Sequence, residues 1–163
     1  RAPGGFALLG WMHAGAEASA PSPGSRWLGE AAVGDPVLFF GPRPSTDLPG
    51  GPVVVVGDET SVALAAAYEA ARPGQVYAVF QSNFAEDVRA AATAVGLRSF
   101  AVVAAGDTIA VAAAVAAGPF PGAPVAVTGA STLVAATRAA LRAAGTRQVA
   151  AKAYWIPGRV GLD

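Results

Sequence analysis

Four short stretches carry the polar groups from which chemistry could be built. They are Gly57-Asp58-Glu59-Thr60, Gln81-Ser82-Asn83-Phe84, Ala104-Ala105-Gly106-Asp107-Thr108 and Thr128-Gly129-Ala130-Ser131-Thr132. Each places hydroxyl, carboxyl or amide groups at the entrance of a predicted helix, where free backbone N–H groups and partial positive charge attract phosphate. The same residue types are expected from helix capping alone, so capping and ligand binding both stay open at these turns. For Asp107 with Thr108 capping is the favoured reading. In Gly129-Ala130-Ser131-Thr132 a glycine with paired hydroxyls would let a ligand approach the backbone. At Gly57 the chain can turn sharply without a Cβ clash, and Asp58 or Thr60 can cap the helix that follows. The glycine triad of the dinucleotide fingerprint is absent.

Acid–base chemistry has less support. Asp58 and Glu59 are adjacent, so their carboxylates are expected to point apart rather than to form a catalytic pair. His13 is the only histidine, and no Ser/His/Asp set can be assembled around it. With no cysteine in the chain, disulfides, thiolate metal sites, iron–sulfur clusters and cysteine nucleophiles are excluded. No cluster of residues has metal-ligand spacing.

The elements that must position these turns alternate regularly from Val53 onward. Val53–Val56, four valines in a row, reads as a strand buried on both faces, as inside a parallel sheet. A helix over Thr60–Ala71 follows, then strand Gln75–Gln81, helix Ala85–Val95, strand Ser99–Val103 and a helix through Ala117. Strand Pro124–Thr128, helix Thr132–Ala144 and strand Gln148–Trp155 complete the series. Such alternation predicts an α/β fold: a Rossmann-like five-stranded parallel sheet with helices on both faces and the valine strand at its centre. The polar turns then fall at the carboxyl ends of the strands, where open α/β sheets bind their ligands.

Residues 1 to 52 differ in character. Phe6–His13 and Val37–Phe40 read as strands, with a short helix near Pro23–Leu28 that has Ser25 close to its start. Prolines and glycines then mark a connection up to Pro52. Two strands and a turn of helix cannot close a core. The expectation is therefore the end of a β domain over 1–51, then an α/β domain over 52–163. The chain opens at Arg1 rather than methionine, and the start of the natural protein is expected to be missing.

Composition bounds the partners. The chain has 163 residues, is 53% hydrophobic and 13% charged, and carries eleven residues of each sign. This is a folded chain with a large core, and nothing argues for nucleic acid or a membrane surface as partner. No apolar run reaches the length of a membrane span.

Gly57-Asp58-Glu59-Thr60-Ser61 after a valine strand resembles the Gly-Asp-Glu-Thr-Ala loop of the siderophore-interacting proteins, flavin-dependent ferric-siderophore reductases on the ferredoxin-reductase fold. Ser22-Pro23-Gly24-Ser25-Arg26-Trp27 is similar to that family's Gly-Pro-Ala-Ser-x-Trp segment, which holds the FAD pyrophosphate at a helix start. Met12-His13-Ala14-Gly15 is similar to the His-Gly before it, and Ala153-Tyr154-Trp155-Ile156-Pro157-Gly158 to the terminal Gly-Tyr-Trp-x-x-Gly. These segments fall in the family's order and cover almost the whole chain. The departures are specific. No Arg-x-Tyr-Thr segment lies upstream of Phe6, Ser22 replaces a glycine, Thr128-Gly129-Ala130 stands for Ala-Gly-Glu, and Ile156 and Pro157 stand where arginines are frequent.

The resemblance implies that residues 1–51 are the C-terminal remnant of an antiparallel flavin-binding β-barrel. It implies a cytoplasmic reductase that passes electrons from NAD(P)H through FAD to a ferric siderophore. Gly57, Asp58, Glu59, Thr60, Gly129 and Ser131 would position the nucleotide. Ser25 and His13 would contact FAD, and Tyr154 and Trp155 would shield the flavin or pack the last strand. Two alternatives stay open: a non-catalytic module that binds a nucleotide or a partner, and a flavin reductase whose acceptor is a protein. Gln81-Ser82-Asn83 offers neither the ribose-binding acid nor an arginine for a 2′-phosphate, so NADH and NADPH are not distinguished.

Overall fold

A computed structural model describes residues 8–12, 23–37 and 48–159. The chain divides into two units, Arg1–Pro44 and Ser45–Asp163. The larger is a sheet of five parallel strands: β1 (Val53–Gly57), β2 (Val76–Gln81), β3 (Phe100–Val103), β4 (Val125–Ala130) and β5 (Val149–Trp155), in the order β3-β2-β1-β4-β5. The valine strand is central, as its composition requires. A strand flanked by neighbours and covered on both faces exposes no side chain to water, and all five residues of β1 are buried.

Four helices of the larger unit cover the sheet: α2 (Val62–Ala71), α3 (Ala85–Ala94), α4 (Thr108–Ala117) and α5 (Ser131–Ala143). Alternation along β1 sends Val54 and Val56 to the face carrying Val111 of α4 and Val134 and Leu141 of α5, where they form one core with Val79, Val125 and Val127. Val53 and Val55 point the other way, and α2 and α3 pack against each other and against β1, β2 and β3. The alanines that make up most of α4 let it lie close to the sheet. The branched side chains supply most of the apolar area, at about 25 cal/mol per Å².

Boundaries agree with the sequence pattern to within a residue or two, with two informative differences. The first turn after β1 is a 3-10 helix over Glu59–Ser61, and α2 proper begins at Val62 rather than Thr60. Strand β4 continues beyond Thr128 through Gly129 and Ala130, with a bulge between those two residues where the pairing with β5 shifts. Gly129 and Ala130 therefore belong to the sheet, not to a loop. At the amino edge, the Arg72 guanidinium lies 5.3 Å from the centre of the Tyr68 ring and donates to the carbonyls of Pro49 and Gly51. This fixes the approach of the chain to β1.

In the smaller unit the described residues contain α1 (Pro23–Glu30) and no strand. Leu8–Met12, expected as most of a strand, has no ladder partner among the described residues, and an extended run becomes a strand only when a neighbour pairs with it. It lies against α1 instead: a Cβ at Gly10 would meet Leu28 Cδ1 at 2.2 Å. Val37 likewise lies outside any strand, while Phe6, Ala7 and the stretch Leu38–Phe40 fall outside the described residues. Ser25 sits in the first turn of α1, as expected, and is buried.

Candidate functional site

The carboxyl edge of the sheet is organised by Asp58, the first residue after β1. Its backbone is extended and its side chain caps the following 3-10 turn: Oδ1 accepts from the Thr60 N–H at 3.0 Å and from the Thr60 hydroxyl. Oδ2 turns away from that helix and accepts from the Ala130 N–H at 2.8 Å and the Trp155 indole N–H at 3.1 Å. One buried carboxylate thus ties the end of β1 to the ends of β4 and β5. Four donors occupy its two oxygens, so it is a brace between strands. The cap belongs to Asp58; Thr60, the other capping candidate, is a donor to it.

Both glycines singled out in the sequence make room for side chains and backbone of the protein itself. Gly57 does not have a positive φ. Its requirement is steric, since a Cβ there would lie 2.0 Å from Ser61 Oγ and 2.5 Å from the Thr128 carbonyl oxygen. Gly129 has φ 122°, and a Cβ there would lie 2.5 Å from Asp58 Oδ2. The space expected to admit a ligand is filled by the Asp58 carboxylate. Nearby, Ser61 Oγ and Thr128 Oγ1 share a hydrogen bond of 2.7 Å that ties the 3-10 turn to β4.

Glu59 points away from Asp58, as adjacency implies, toward the end of β2. The Ser82 hydroxyl donates to Glu59 Oε1 and accepts from the Phe84 N–H at 2.9 Å. Ser82 thereby supplies the turn into α3 and also aims the carboxylate. Asp107 caps α4 by accepting from the Ala110 N–H at 2.9 Å, which bears out the capping reading there. Helix α5 differs. Ser131 is its first residue, Ala130 occupies the cap position, and no side chain caps it. The capping role considered for Ser131 and Thr132 is not taken up.

On β5, the Tyr154 phenol meets the Thr128 side chain and the Trp155 indole meets Asp58. Burial pushes the Tyr154 phenol above its ordinary pKa; the Thr128 hydroxyl works against this, and Tyr68 and Asp58 add to it. Trp155, held by its bond to Asp58, keeps 41% of its surface exposed.

These residues surround a cleft of about 410 Å³ over the carboxyl ends of the strands, within the range of small-molecule sites. Phe84, Leu133, Ala136, Trp155 and Pro157 give it apolar walls, and Glu59, Asn83, Thr108 and Thr132 line it with polar groups. Strand order reverses between β1 and β4, so the cleft lies where a doubly wound sheet opens. The structure brings Asp58, Glu59 and Trp155 to this cleft. Gly57, Thr60, Gly129, Ser131 and Tyr154 are not among its lining residues but support it. Ser25 is in the other unit, and His13 lies outside the described residues.

The sequence placed Gln81 in one of the polar turns without marking it as buried, and it did not mark Thr137 at all. Gln81 is the last residue of β2, in phase with Tyr77 and Val79 and so on the α4/α5 face. An amide ending an apolar strand in the phase of its core residues was a readable signal. Thr137, midway along α5, carried none. Among the described residues no group of histidine, cysteine, aspartate or glutamate could hold a metal ion. No described helix is long and apolar enough to cross a membrane. The chain matches no protein-family model and no curated protein.

Proposed function

We propose that the cleft binds a nicotinamide nucleotide and that the chain is the nucleotide-binding part of a flavin-dependent reductase. The observation that carries this reading is the position of the cleft: at the carboxyl edge, beside the strand-order reversal, against a thirteen-residue helix α5 whose N-terminus no side chain caps. The free N–H groups of that first turn suit the pyrophosphate, and the apolar walls suit a planar ring. Glu59, aimed by Ser82 and lining the cleft, suits the ribose hydroxyls as acceptor. A carboxylate there also opposes a 2′-phosphate. Asp58 contributes by holding β4, β5 and the Trp155 indole in place rather than by touching the ligand.

The motifs shared with the siderophore-interacting proteins extend this to FAD as the partner cofactor and a ferric siderophore as the electron acceptor. Such a cofactor pair supplies hydride transfer followed by single-electron steps to iron. On the protein side, Trp155 would present a fixed aromatic edge at the cleft mouth, and Ser25 in the first turn of α1 would contact the FAD pyrophosphate.

Titration of the purified chain with NADH and with NADPH, followed by tryptophan fluorescence, tests the core of this reading; saturable binding of at least one is expected. Reduction of a ferric siderophore after addition of FAD tests the extension. Binding of neither nucleotide overturns the reading. Nucleotide binding without uptake of FAD removes the reductase and leaves a nucleotide-binding module.

A further inference from the structure

Gln81 is 1% exposed at the end of β2, yet it lines the cleft. Its Nε2 donates to Thr137 Oγ1 at 2.8 Å, and Thr137 is itself fully buried on α5. Its Oε1 has no hydrogen-bond partner. A buried acceptor without a donor is costly, and native proteins rarely keep one except where something else supplies the donor. The bond to Thr137 fixes the amide plane, so this acceptor has a set direction. Around it the cleft offers apolar surface from Leu133, Ala136 and Trp155, suited to the faces of a flat ring rather than to its polar edge.

We propose that Gln81 is the specificity-determining residue of the cleft. Its Oε1 accepts an N–H from the edge of a planar heterocycle that carries an exocyclic amine or a primary amide. The proposal rests on the nucleotide reading above and adds which atom recognises the base. A nicotinamide nucleotide offers that chemistry twice, in the adenine amine and in the nicotinamide carboxamide. A site built around a buried acceptor rejects an analogue that lacks the donor, because the acceptor is then left unpaired. Thr137 is a positioning residue: it touches no ligand and holds the amide.

The test compares dissociation constants of the full chain for NADH, reduced nicotinamide hypoxanthine dinucleotide and reduced 3-acetylpyridine adenine dinucleotide. The second replaces the adenine amine with a carbonyl, and the third replaces the carboxamide with an acetyl group. One analogue is expected to bind about tenfold more weakly than NADH, the scale of one lost hydrogen bond to a buried group. Weakening of the hypoxanthine compound assigns Gln81 to adenine; weakening of the acetylpyridine compound assigns it to the carboxamide. In Gln81→Met, a near-isosteric apolar replacement, the difference between NADH and that analogue is expected to vanish. Equal binding of all three by the unaltered chain overturns the proposal, as does tighter binding of the hypoxanthine compound or discrimination that survives in Gln81→Met. The analogue series on the unaltered chain decides even where Gln81→Met does not fold. Failure to bind NADH at all overturns the nucleotide reading, whereas NADH binding without discrimination overturns this proposal alone.

Discussion

At the scale of single residues, the carboxyl edge depends on groups whose hydrogen bonds are already committed. Asp58 receives donors from Thr60, Ala130 and Trp155. Asp58→Asn replaces one acceptor oxygen with an NH₂ group, which faces either the Ala130 and Trp155 donors or the Thr60 pair. A donor on that side then loses its acceptor, at about 1–3 kcal/mol where it is the buried Ala130 N–H. Denaturant unfolding is expected to report a loss of that size. An unchanged midpoint with weakened nucleotide binding would instead make Asp58 a ligand-binding group. Gly57→Ala is expected to cost a comparable amount, about 1–3 kcal/mol by overpacking, because its methyl would press on Ser61 and the Thr128 carbonyl. Glu59 is placed differently, with only Ser82 holding it among the described residues. Glu59→Gln can still accept from Ser82, so it is expected to leave the unfolding midpoint within about 0.5 kcal/mol. A change confined to the NADH-to-NADPH preference is the expected signature of a ribose contact; an unchanged preference would leave Glu59 as a turn residue.

At the scale of elements, the site is held by helices poor in large side chains. Helix α5 reaches the core through Val134, Thr137 and Leu141, and its start is set where the Ala130 N–H meets Asp58. Leu141 is fully buried among valines of β1, β4 and α4. Leu141→Ala is expected to destabilise by about 3–5 kcal/mol, since the valines around it are held by the sheet and cannot move in to fill the space. Ile109→Ala, on an exposed position of α4, is expected to fall within about 0.5 kcal/mol. Comparable losses in the two variants, measured by urea unfolding, would contradict the assignment of the core. Sequence periodicity located these elements well because each polar turn interrupts an apolar run. It could not place the end of β4, where Gly129 stays in register with β5 and Ala130 pairs with it across a bulge.

At the scale of the whole molecule, the larger unit contains all five described strands, their four covering helices and the cleft. A fragment spanning Ser45–Asp163 is accordingly expected to unfold in one cooperative transition, with the same midpoint in fluorescence and circular dichroism. Non-coincident transitions would mean that the fragment does not fold as one cooperative body. Burial raises the phenol pKa values of Tyr77 and Tyr154 above the ordinary 10.0. The unfolded chain therefore releases these protons first. The associated stability is present below pH 10 and is lost as pH rises through the folded values. A midpoint that falls above pH 10, less steeply in Tyr154→Phe, is the expected outcome.

Sequence alone determined the α/β architecture, the central valine strand and the edge of the sheet that bears the polar turns. Those features follow from local periodicity, and periodicity is a property of neighbours in the chain. It also determined that Asp58 and Glu59 diverge and that Asp107 caps its helix. Only tertiary structure decided what the glycines and Asp58 are for. The partners of Asp58 on β4 and β5 lie 72 and 97 residues away, so no local pattern marks them. Gln81 stood in view at the end of its strand, but its partner Thr137 lies 56 residues away and no local pattern pairs the two. Each reads as an ordinary polar residue until the sheet and α5 close over both and leave one amide oxygen facing no protein donor.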